Sequence, residues 1–359
     1  MTVDFTLNDS NSFINISSND INRSKWFIGS ALMGQNFEEL PSGQYFYEQD
    51  TIWSRVLDMN QINPYWEIHN RTKNFLMKNQ SIEQSMDILI EYIRKLNIVS
   101  SNDDIYFITD DSQIIHYIQS REYGLLKLHL PFYIEKDLVG SYLKVFIRTN
   151  GQLHPLVDCT IFKKSDEDYF EININLFYHE MILFHRDGII PQKYKTFTSI
   201  FGKSEPYETF YLNQDKIKFL SLFDCVLFLS DQDSKIDSSY KGHTTKKIVK
   251  DFVFYSLVNN SDLSKMYSYL KIDFIDFIKN ELIKIEKVYP KIIRSKKTDL
   301  AATYGISEKT LRYLTGAYVS NSFSLSDGCR FFTDISFLPG YQDFDNFKSQ
   351  IIQIIESKK

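Results

Sequence analysis

The strongest constraint on the fold is an alternation of apolar and polar side chains within residues 123–215. It occurs in GLLKLHLPFYI, in SYLKVFIRTNGQLHPLVDCTIF and in DYFEININLFYHEMILF. A period of two places successive side chains on opposite faces of a strand, and the many β-branched and aromatic residues also favour strands. Asn150 and Gly151 form the dipeptide typical of a two-residue hairpin turn. This region therefore predicts antiparallel strands.

Helical and strand patterns alternate just before this region. In SIEQSMDILIEYIRKL, residues 81–96, apolar side chains recur at steps of three and four, and Ser81 with Gln84 forms a capping-box pattern. DIYFITD predicts a buried strand and SQIIHYIQSRE a short helix, so together they predict a strand–helix unit of an α/β layer. Residues 1–80 show no regular pattern. Farther along the chain, after the alternating region, FDCVLFL, 223–229, predicts another buried strand.

The length and the pattern changes predict two domains. A chain of 359 residues exceeds the size at which a single core usually stops growing. The polar run SDQDSKIDSSYKGHTTKK predicts a linker, and the pattern beyond it is helical almost throughout 248–317. We therefore expect an α+β fold with a mixed α/β body over 1–230, a linker over 231–247 and a helical domain over 248–359.

Composition and motifs narrow the class of protein. The three cysteines, Cys159, Cys225 and Cys329, share no metal-ligand spacing and suit a reducing compartment. The N-terminus lacks a secretory pattern and no window is apolar enough to span a bilayer, so we expect a cytoplasmic protein with no membrane partner. The sequence has no Gly-x-Gly-x-x-Gly loop and no zinc-protease histidine pair, so no cofactor or metal is predicted.

Positive charge is concentrated near the C-terminal end of an acidic chain. The formal net charge is −5, yet residues 279–317 hold nine Lys or Arg against four acidic residues. Such asymmetry can mark a surface for nucleic acid or acidic lipid, although a solvated helix face gives the same pattern. The basic residues of this segment are Lys279, Lys284, Lys287, Lys291, Arg294, Lys296, Lys297, Lys309 and Arg312.

Within this segment, KTDLAATYGISEKTLRYL, 297–314, fits a helix-turn-helix. Ala301 is small enough for a second helix to pass closely, and Gly305 tolerates the positive φ that the turn needs. Ser307 can cap the second helix, and Leu311 and Leu314 would be buried on its inner face. A helical hairpin with a glycine turn would satisfy the same positions, so both interpretations stay open.

In the helix-turn-helix interpretation, the second helix reads duplex DNA. Basic side chains there can contact guanine edges or phosphates, and those upstream can contact the backbone. The acidic body would then sense a small-molecule effector or mediate homodimer formation. The predicted DNA-binding residues are Lys297, Ser307, Glu308, Lys309, Arg312 and Tyr313.

DLAATYGISEKTLRYL resembles the first helix-turn-helix of the arabinose-regulator (AraC-like) transcription factors. DISFLPGYQDFDNFKSQI, 334–351, resembles their second unit, with Gly340 at the turn and Phe347 at a buried position. The resemblance covers about 60 residues near the C-terminus. It implies a regulator that binds a specific DNA sequence through two helix-turn-helix units.

A different resemblance implies an enzyme. WEIHNRTKN, followed by a helix and then by DIYFITDDSQII, resembles part of the fucosyltransferase-like glycosyltransferases. In that resemblance His69, Arg71 and Asp110 are the candidate catalytic residues, and Arg71 would neutralise the diphosphate of a nucleotide-sugar donor. Thr72 and Asn74 stand where the family has an arginine and an aspartate. A third interpretation is a non-catalytic interaction protein that has neither site.

Overall fold

The fold combines one large sheet with many helices. The computed structural model describes residues 13–16, 39–52, 67–96, 98, 104–127, 139–149, 152–202, 205–232, 234, 236–237 and 239–294. The strands are β1 Ile14–Asn15, β2 Gly43–Ile52, β3 His69–Lys78, β4 Ile105–Thr109, β5 Gly124–Lys127, β6 Val139–Thr149, β7 Gln152–Lys164 and β8 Glu167–Asn175. The helices are α1 Ile82–Lys95, α2 Ser112–Ser120, α3 Leu176–Asp187, α4 Gln192–Phe201, α5 Tyr207–Phe210, α6 Gln214–Asp231, α7 Tyr240–Val258, a 3-10 helix Leu263–Tyr269 and α8 Ile272–Arg294.

The described strands form one mixed sheet in the order β1-β2-β3-β8-β7-β6-β4-β5. The pairs β6–β7, β7–β8, β3–β8 and β4–β6 are antiparallel, whereas β4 and β5 are parallel neighbours joined through α2. Thr149 of β6 lies opposite Gln152 of β7, so only Asn150 and Gly151 separate the two strands. The predicted α+β class and the strand–helix unit are confirmed, and the predicted antiparallel strands are present over residues 139–175. The strand prediction is wrong for LFYHEMILF, which belongs to helix α3 and starts where the Asn175 side chain accepts from the Phe177 amide. Helices α4 and α5 also lie within the region predicted to be strands, and β5 pairs with β4 in parallel.

The described residues divide into two compact units. The first, the sheet unit, contains the described residues up to Thr51 together with Arg71–Ile189. The second, the helical unit, contains those of Ile52–Asn70 and the described residues from Ile190 onward. The division therefore falls near residues 52, 70 and 190, and one boundary lies within β3.

In the sheet unit, one face of the sheet packs against helices. Phe75 and Met77 project from β3 into a core shared with Met86, Leu89 and Ile93 of α1, and all five side chains are buried. The predicted capping box of α1 is present, because the Ser81 hydroxyl accepts from the Gln84 amide and the Gln84 side chain accepts from the Ser81 amide. The amphipathic pattern of this helix thus corresponds to its buried face.

In the helical unit, aromatic side chains fill the core. Phe197 of α4 contacts Phe219 and Phe223 of α6 edge-on, with ring centroids 5.4 Å apart in both pairs. Phe219 stacks on Phe252 of α7, also at 5.4 Å. Edge-to-face and offset contacts are the arrangements that aromatic pairs prefer. Part of the high phenylalanine content is thereby assigned to packing.

Two further sequence-based predictions differ from the structure. Residues 43–52 and 69–78 form strands within the segment predicted to be irregular. FDCVLFL is not a strand but the second half of α6, which begins where the Asn213 side chain accepts from the Lys216 amide. The strand prediction was wrong because a short, mostly apolar run fits a buried helix as well as a buried strand.

The predicted linker is partly helical. Ser239 caps α7 by accepting from the Gly242 amide, so residues 240–247 form the start of a 19-residue helix. The helical prediction for 248–317 agrees with α7, the 3-10 helix and α8 as far as Arg294. The two predicted helix-turn-helix units lie outside the described residues. Among the described helices, none combines the length and the apolar character needed to span a membrane.

Candidate functional site

Four ionisable side chains lie close together in the helical unit, and we call them the charged cluster: Glu67, His69, Lys193 and Asp224. Glu67 forms an ion pair with Lys193, and both side chains are at least 90% buried. His69 Nδ1 lies 2.8 Å from Asp224 Oδ2; the imidazole is fully buried and the carboxylate is 22% exposed. Ionisable side chains are seldom buried unless they are paired, so this arrangement is held by specific contacts.

The charged cluster is positioned by one face of α6. Ser221, Asp224 and Phe228 follow each other at steps of three and four, which places them on the same side of a helix. The Ser221 hydroxyl accepts a hydrogen bond of 2.9 Å from the Ile68 amide. Phe228 stacks on the His69 ring with centroids 4.0 Å apart and 15° between the planes. Three successive positions of α6 therefore fix the backbone and the imidazole at residues 68–69.

Burial changes the protonation chemistry of Glu67. Desolvation, assisted by the nearby charge of Asp224, raises the pKa of its carboxyl group to about 7, against the opposing effects of Lys193 and His69. With Glu67 ionised and His69 neutral, the charged cluster carries one net negative charge. One added proton makes it neutral. A carboxyl group that titrates near neutrality is a feature of functional sites as well as of structural ion-pair networks.

The geometry of the charged cluster shields its imidazole from direct contact with a substrate. Asp224 orients the His69 ring through Nδ1, as a carboxylate does in acid–base sites. However, Phe228 covers the His69 ring, and the exposed fraction of the His69 side chain is zero. Reactants therefore cannot approach the imidazole directly. Among the described residues, there is no group of three or more His, Cys, Asp or Glu that could hold a metal ion.

A second polar network crosses the sheet unit. We call it the polar row: Asn74, Asn173, Asp158 and Lys144, which lie directly opposite one another on β3, β8, β7 and β6. Asn173 Nδ2 donates to Asn74 Oδ1 at 2.7 Å, and Lys144 Nζ lies 2.8 Å from Asp158 Oδ1. Cross-strand partners of this kind share one face of the sheet. Side chains of the polar row therefore link β3 to β8 and β6 to β7, and the backbone register places the two pairs side by side.

Comparisons with known proteins do not identify the chain. No protein-family model matches it, and no curated protein matches it. One solved structure with partial similarity is apo histidyl-tRNA synthetase from S. aureus, at 6% sequence identity and a TM-score of 0.31. The match covers 44% of this chain and 48% of the synthetase chain. The chain thus spans about half of that protein, and a likeness this low supports neither a fold assignment nor a function.

The structure places the three residues of the glycosyltransferase interpretation in different surroundings. His69 belongs to the charged cluster. Arg71 is 62% exposed on β3, 3.8 Å from Asp50. Asp110 is exposed just after β4, beside Asp111, which caps α2 through the Gln113 and Ile114 amides.

Arg71 and Asp110 are not brought together by the sheet. Strands β8, β7 and β6 lie between β3 and β4. Four strand spacings of about 4.8 Å separate the two strands, or roughly 19 Å in total. Asp111 also accepts from the Ser141 hydroxyl at 2.9 Å, which gives it a structural role. The geometry therefore does not support a shared diphosphate site for Arg71 and Asp110.

Sequence reasoning missed three of the four members of the charged cluster. Only His69 was a candidate, and it was chosen for a different chemistry. Asp224 did carry a signal, because it is the one charged residue in FDCVLFL and a carboxylate in an apolar run needs a buried partner. Glu67 and Lys193 have no such local signal. The predicted DNA-binding residues, from Lys297 to Tyr313, lie outside the described residues.

Proposed function

We propose that this protein binds duplex DNA through a basic segment that starts on α8 and continues through Arg312. The supporting observation is the position of two lysines on α8. Phe274, Ile278 and Ile285 bury one face of the helix, whereas Lys279 and Lys284 are exposed. Lys284 Nζ lies 2.7 Å from Glu281 Oε1 and Lys279 Nζ lies 5.2 Å from the centre of the Tyr267 ring, so both would exchange these exposed contacts for phosphates. The sequence continues with seven further basic residues up to Arg312.

In this proposal the two parts of the basic segment contribute differently to DNA binding. The lysines of α8 and those up to Lys297 contact phosphates, which sets affinity and salt dependence without reading sequence. On the second helix of the helix-turn-helix, Arg312 reads base edges in the major groove and Lys309 contacts a phosphate beside it. A small-molecule effector or a homodimer contact, supplied by the rest of the chain, would regulate binding.

The test measures DNA binding by the full-length protein. Duplexes selected from a random pool supply a preferred site, and fluorescence anisotropy then gives affinities for that site and for a scrambled duplex at several salt concentrations. We expect Arg312→Ala to weaken binding to the selected site roughly tenfold and to reduce its preference over the scrambled duplex. Lys309→Ala should weaken both and reduce the salt slope by about one.

Lys195→Ala is the matched control, because Lys195 is an exposed lysine on α4 of the helical unit. It should leave binding and its salt slope unchanged. The proposal is rejected if the parent protein binds no duplex at low salt. It is also rejected if Lys309→Ala and Arg312→Ala both bind like the parent, in which case the non-catalytic interaction protein is the better interpretation.

A further inference from the structure

A groove with a volume of about 480 Å³ lies between α1 and α2 in the sheet unit. Its charged lining residues are Asp87, Glu91, Arg94 and Lys95 of α1 and Arg121 at the end of α2. The Tyr117 side chain of α2 also lines it. Binding sites for small molecules span roughly 300–1,000 Å³, so this groove is large enough for one.

Two of the cations in the groove are paired with carboxylates. Arg121 Nη2 donates to Asp87 Oδ1 at 3.1 Å, and its guanidinium lies over the Tyr117 ring at 3.9 Å. The Tyr117 hydroxyl donates to the same carboxylate oxygen at 2.6 Å. Lys95 Nζ lies 2.6 Å from Glu91 Oε1. Stacking and hydrogen bonding thus hold the Arg121 guanidinium in a fixed position before any ligand arrives.

Arg94 differs from the other two cations. It donates from Nη2 to the Tyr123 hydroxyl at 3.2 Å, and within the described part of the chain no carboxylate pairs with it. The five charged groups of the groove therefore carry one excess positive charge. A guanidinium has five N–H donors arranged as a fork, so Arg94 keeps donors for a second partner.

We propose that this groove binds a small organic anion, with its oxyanion on Arg94 and Arg121. A carboxylate and a phosphate monoester share the chemistry that two guanidinium groups recognise, namely several oxygen acceptors and negative charge. The bound anion balances the excess charge of the groove. The Tyr117 ring and the aliphatic stems of the α1 side chains contact the remainder of the ligand. This inference does not rest on the proposed DNA binding.

Isothermal titration of the full-length protein tests the inference and separates the two ligand sources. The probes are ribose 5-phosphate and benzoate, with ribose and benzamide as their uncharged analogues. We expect at least one anion to bind with one-to-one stoichiometry and its uncharged analogue not to bind. The loss of binding between each anion and its uncharged analogue shows which oxyanion the groove takes.

Variants then locate the site. Arg94→Gln should weaken anion binding roughly tenfold or more, because a charge-assisted hydrogen bond is lost. Arg94→Lys should retain part of the affinity, since it keeps the charge but loses the fork geometry. Lys163→Gln removes one positive charge from an exposed position on β7 of the same unit and should bind like the parent.

Three results would overturn the inference. The first is no heat of binding for either anion. The second is equal affinity in Arg94→Gln and the parent, and the third is an equal loss in Lys163→Gln, which would indicate a general charge effect. Because Arg94 is exposed, its substitution should leave the thermal unfolding midpoint unchanged, and Arg121→Gln provides a second disruption of the same groove.

Discussion

The polar row and the charged cluster are two ways of placing polar side chains inside one protein. In the polar row, each member is the direct cross-strand neighbour of the next, and the register that pairs the backbones also brings together the side chains of Asn74 with Asn173 and of Lys144 with Asp158. In the charged cluster, the partners lie 126 and 155 positions apart in the chain and come from a strand end and two helices. A row follows from strand register, even where β3 and β8 pair residues 99 positions apart, whereas the cluster also requires helices to pack against a strand end.

The two networks also differ in their electrostatics. Two members of the polar row are neutral amides, and its carboxylate, Asp158, is 39% exposed. All four members of the charged cluster are ionisable, and Glu67, His69 and Lys193 are nearly or fully buried. Desolvation therefore dominates the charged cluster, while hydrogen bonding dominates the polar row. Mutation and pH should affect the two networks to different extents.

The largest effect is expected from Lys193→Met. At pH 8 this change leaves the Glu67 carboxylate buried without its cation, and breaking one side of a buried ion pair costs about 3 kcal/mol or more. The loss should be smaller at pH 6, because Glu67 then takes up a proton. Urea unfolding of the parent and Lys193→Met at both pH values measures the loss of stability.

Replacing both partners provides the control for Lys193→Met. In Glu67→Gln/Lys193→Met no charge is left unpaired, so much of the lost stability should return. If the single variant is as stable as the parent at pH 8, the ion pair does not stabilise the helical unit.

The second prediction concerns pH. The pKa of Glu67 is raised from 4.5 to about 7 in the folded protein, so the folded state holds a proton that the unfolded state releases. The resulting stability is fully present below the unfolded pKa and is lost as the pH rises to about 7. Its size is about 3 kcal/mol, from 1.36 kcal/mol per pKa unit.

Glu67→Gln should remove this pH-dependent contribution. Urea unfolding between pH 5 and 8 gives the dependence of the unfolding free energy on pH for the parent and the variant. The difference between the two slopes should correspond to nearly one bound proton. Asp166→Asn, which removes an exposed carboxylate in the turn between β7 and β8, is a charge-matched control and should keep the parental slope. Equal slopes in parent and Glu67→Gln would contradict the raised pKa.

The third prediction applies to the polar row. Asn173→Ala removes the donor to Asn74 Oδ1, an atom of a fully buried side chain. An unsatisfied buried acceptor costs about 1–2 kcal/mol, and this cost should not change between pH 6 and 8 because both groups are neutral. A double-mutant cycle with Asn74→Ala measures the coupling; a coupling energy of zero would show that the two amides act independently.

The smallest effect is expected from Arg71→Ala. The pair with Asp50 spans 3.8 Å and both side chains are well exposed, so solvent screens the attraction. The free energy of unfolding should change by less than about 0.5 kcal/mol. A loss above 1 kcal/mol in urea unfolding would show that the exposed pair is part of a larger network than the contacts of Arg71 indicate.

Local sequence features predicted the elements whose causes are local. Ser81 and Gln84 specified the start of α1, and the alternation of apolar and polar residues specified β6 and β7, because capping and strand patterning involve residues a few positions apart. The apolar run around Cys225 led to a wrong prediction of a strand, because a short apolar run is compatible with both a buried strand and a buried helix. β2 and β3 were missed because their long-range pairing is not visible in a single segment.

The sequence by itself determined the α+β class, the alternating strands of the 139–175 meander and the concentration of positive charge near the C-terminal end. Each depends on neighbouring residues or on composition alone. Only the tertiary structure decided that three strands separate Arg71 from Asp110, and that Glu67 and His69 meet Lys193 and Asp224. Strand order and helix packing bring distant residues together through burial, and burial also sets the protonation of Glu67.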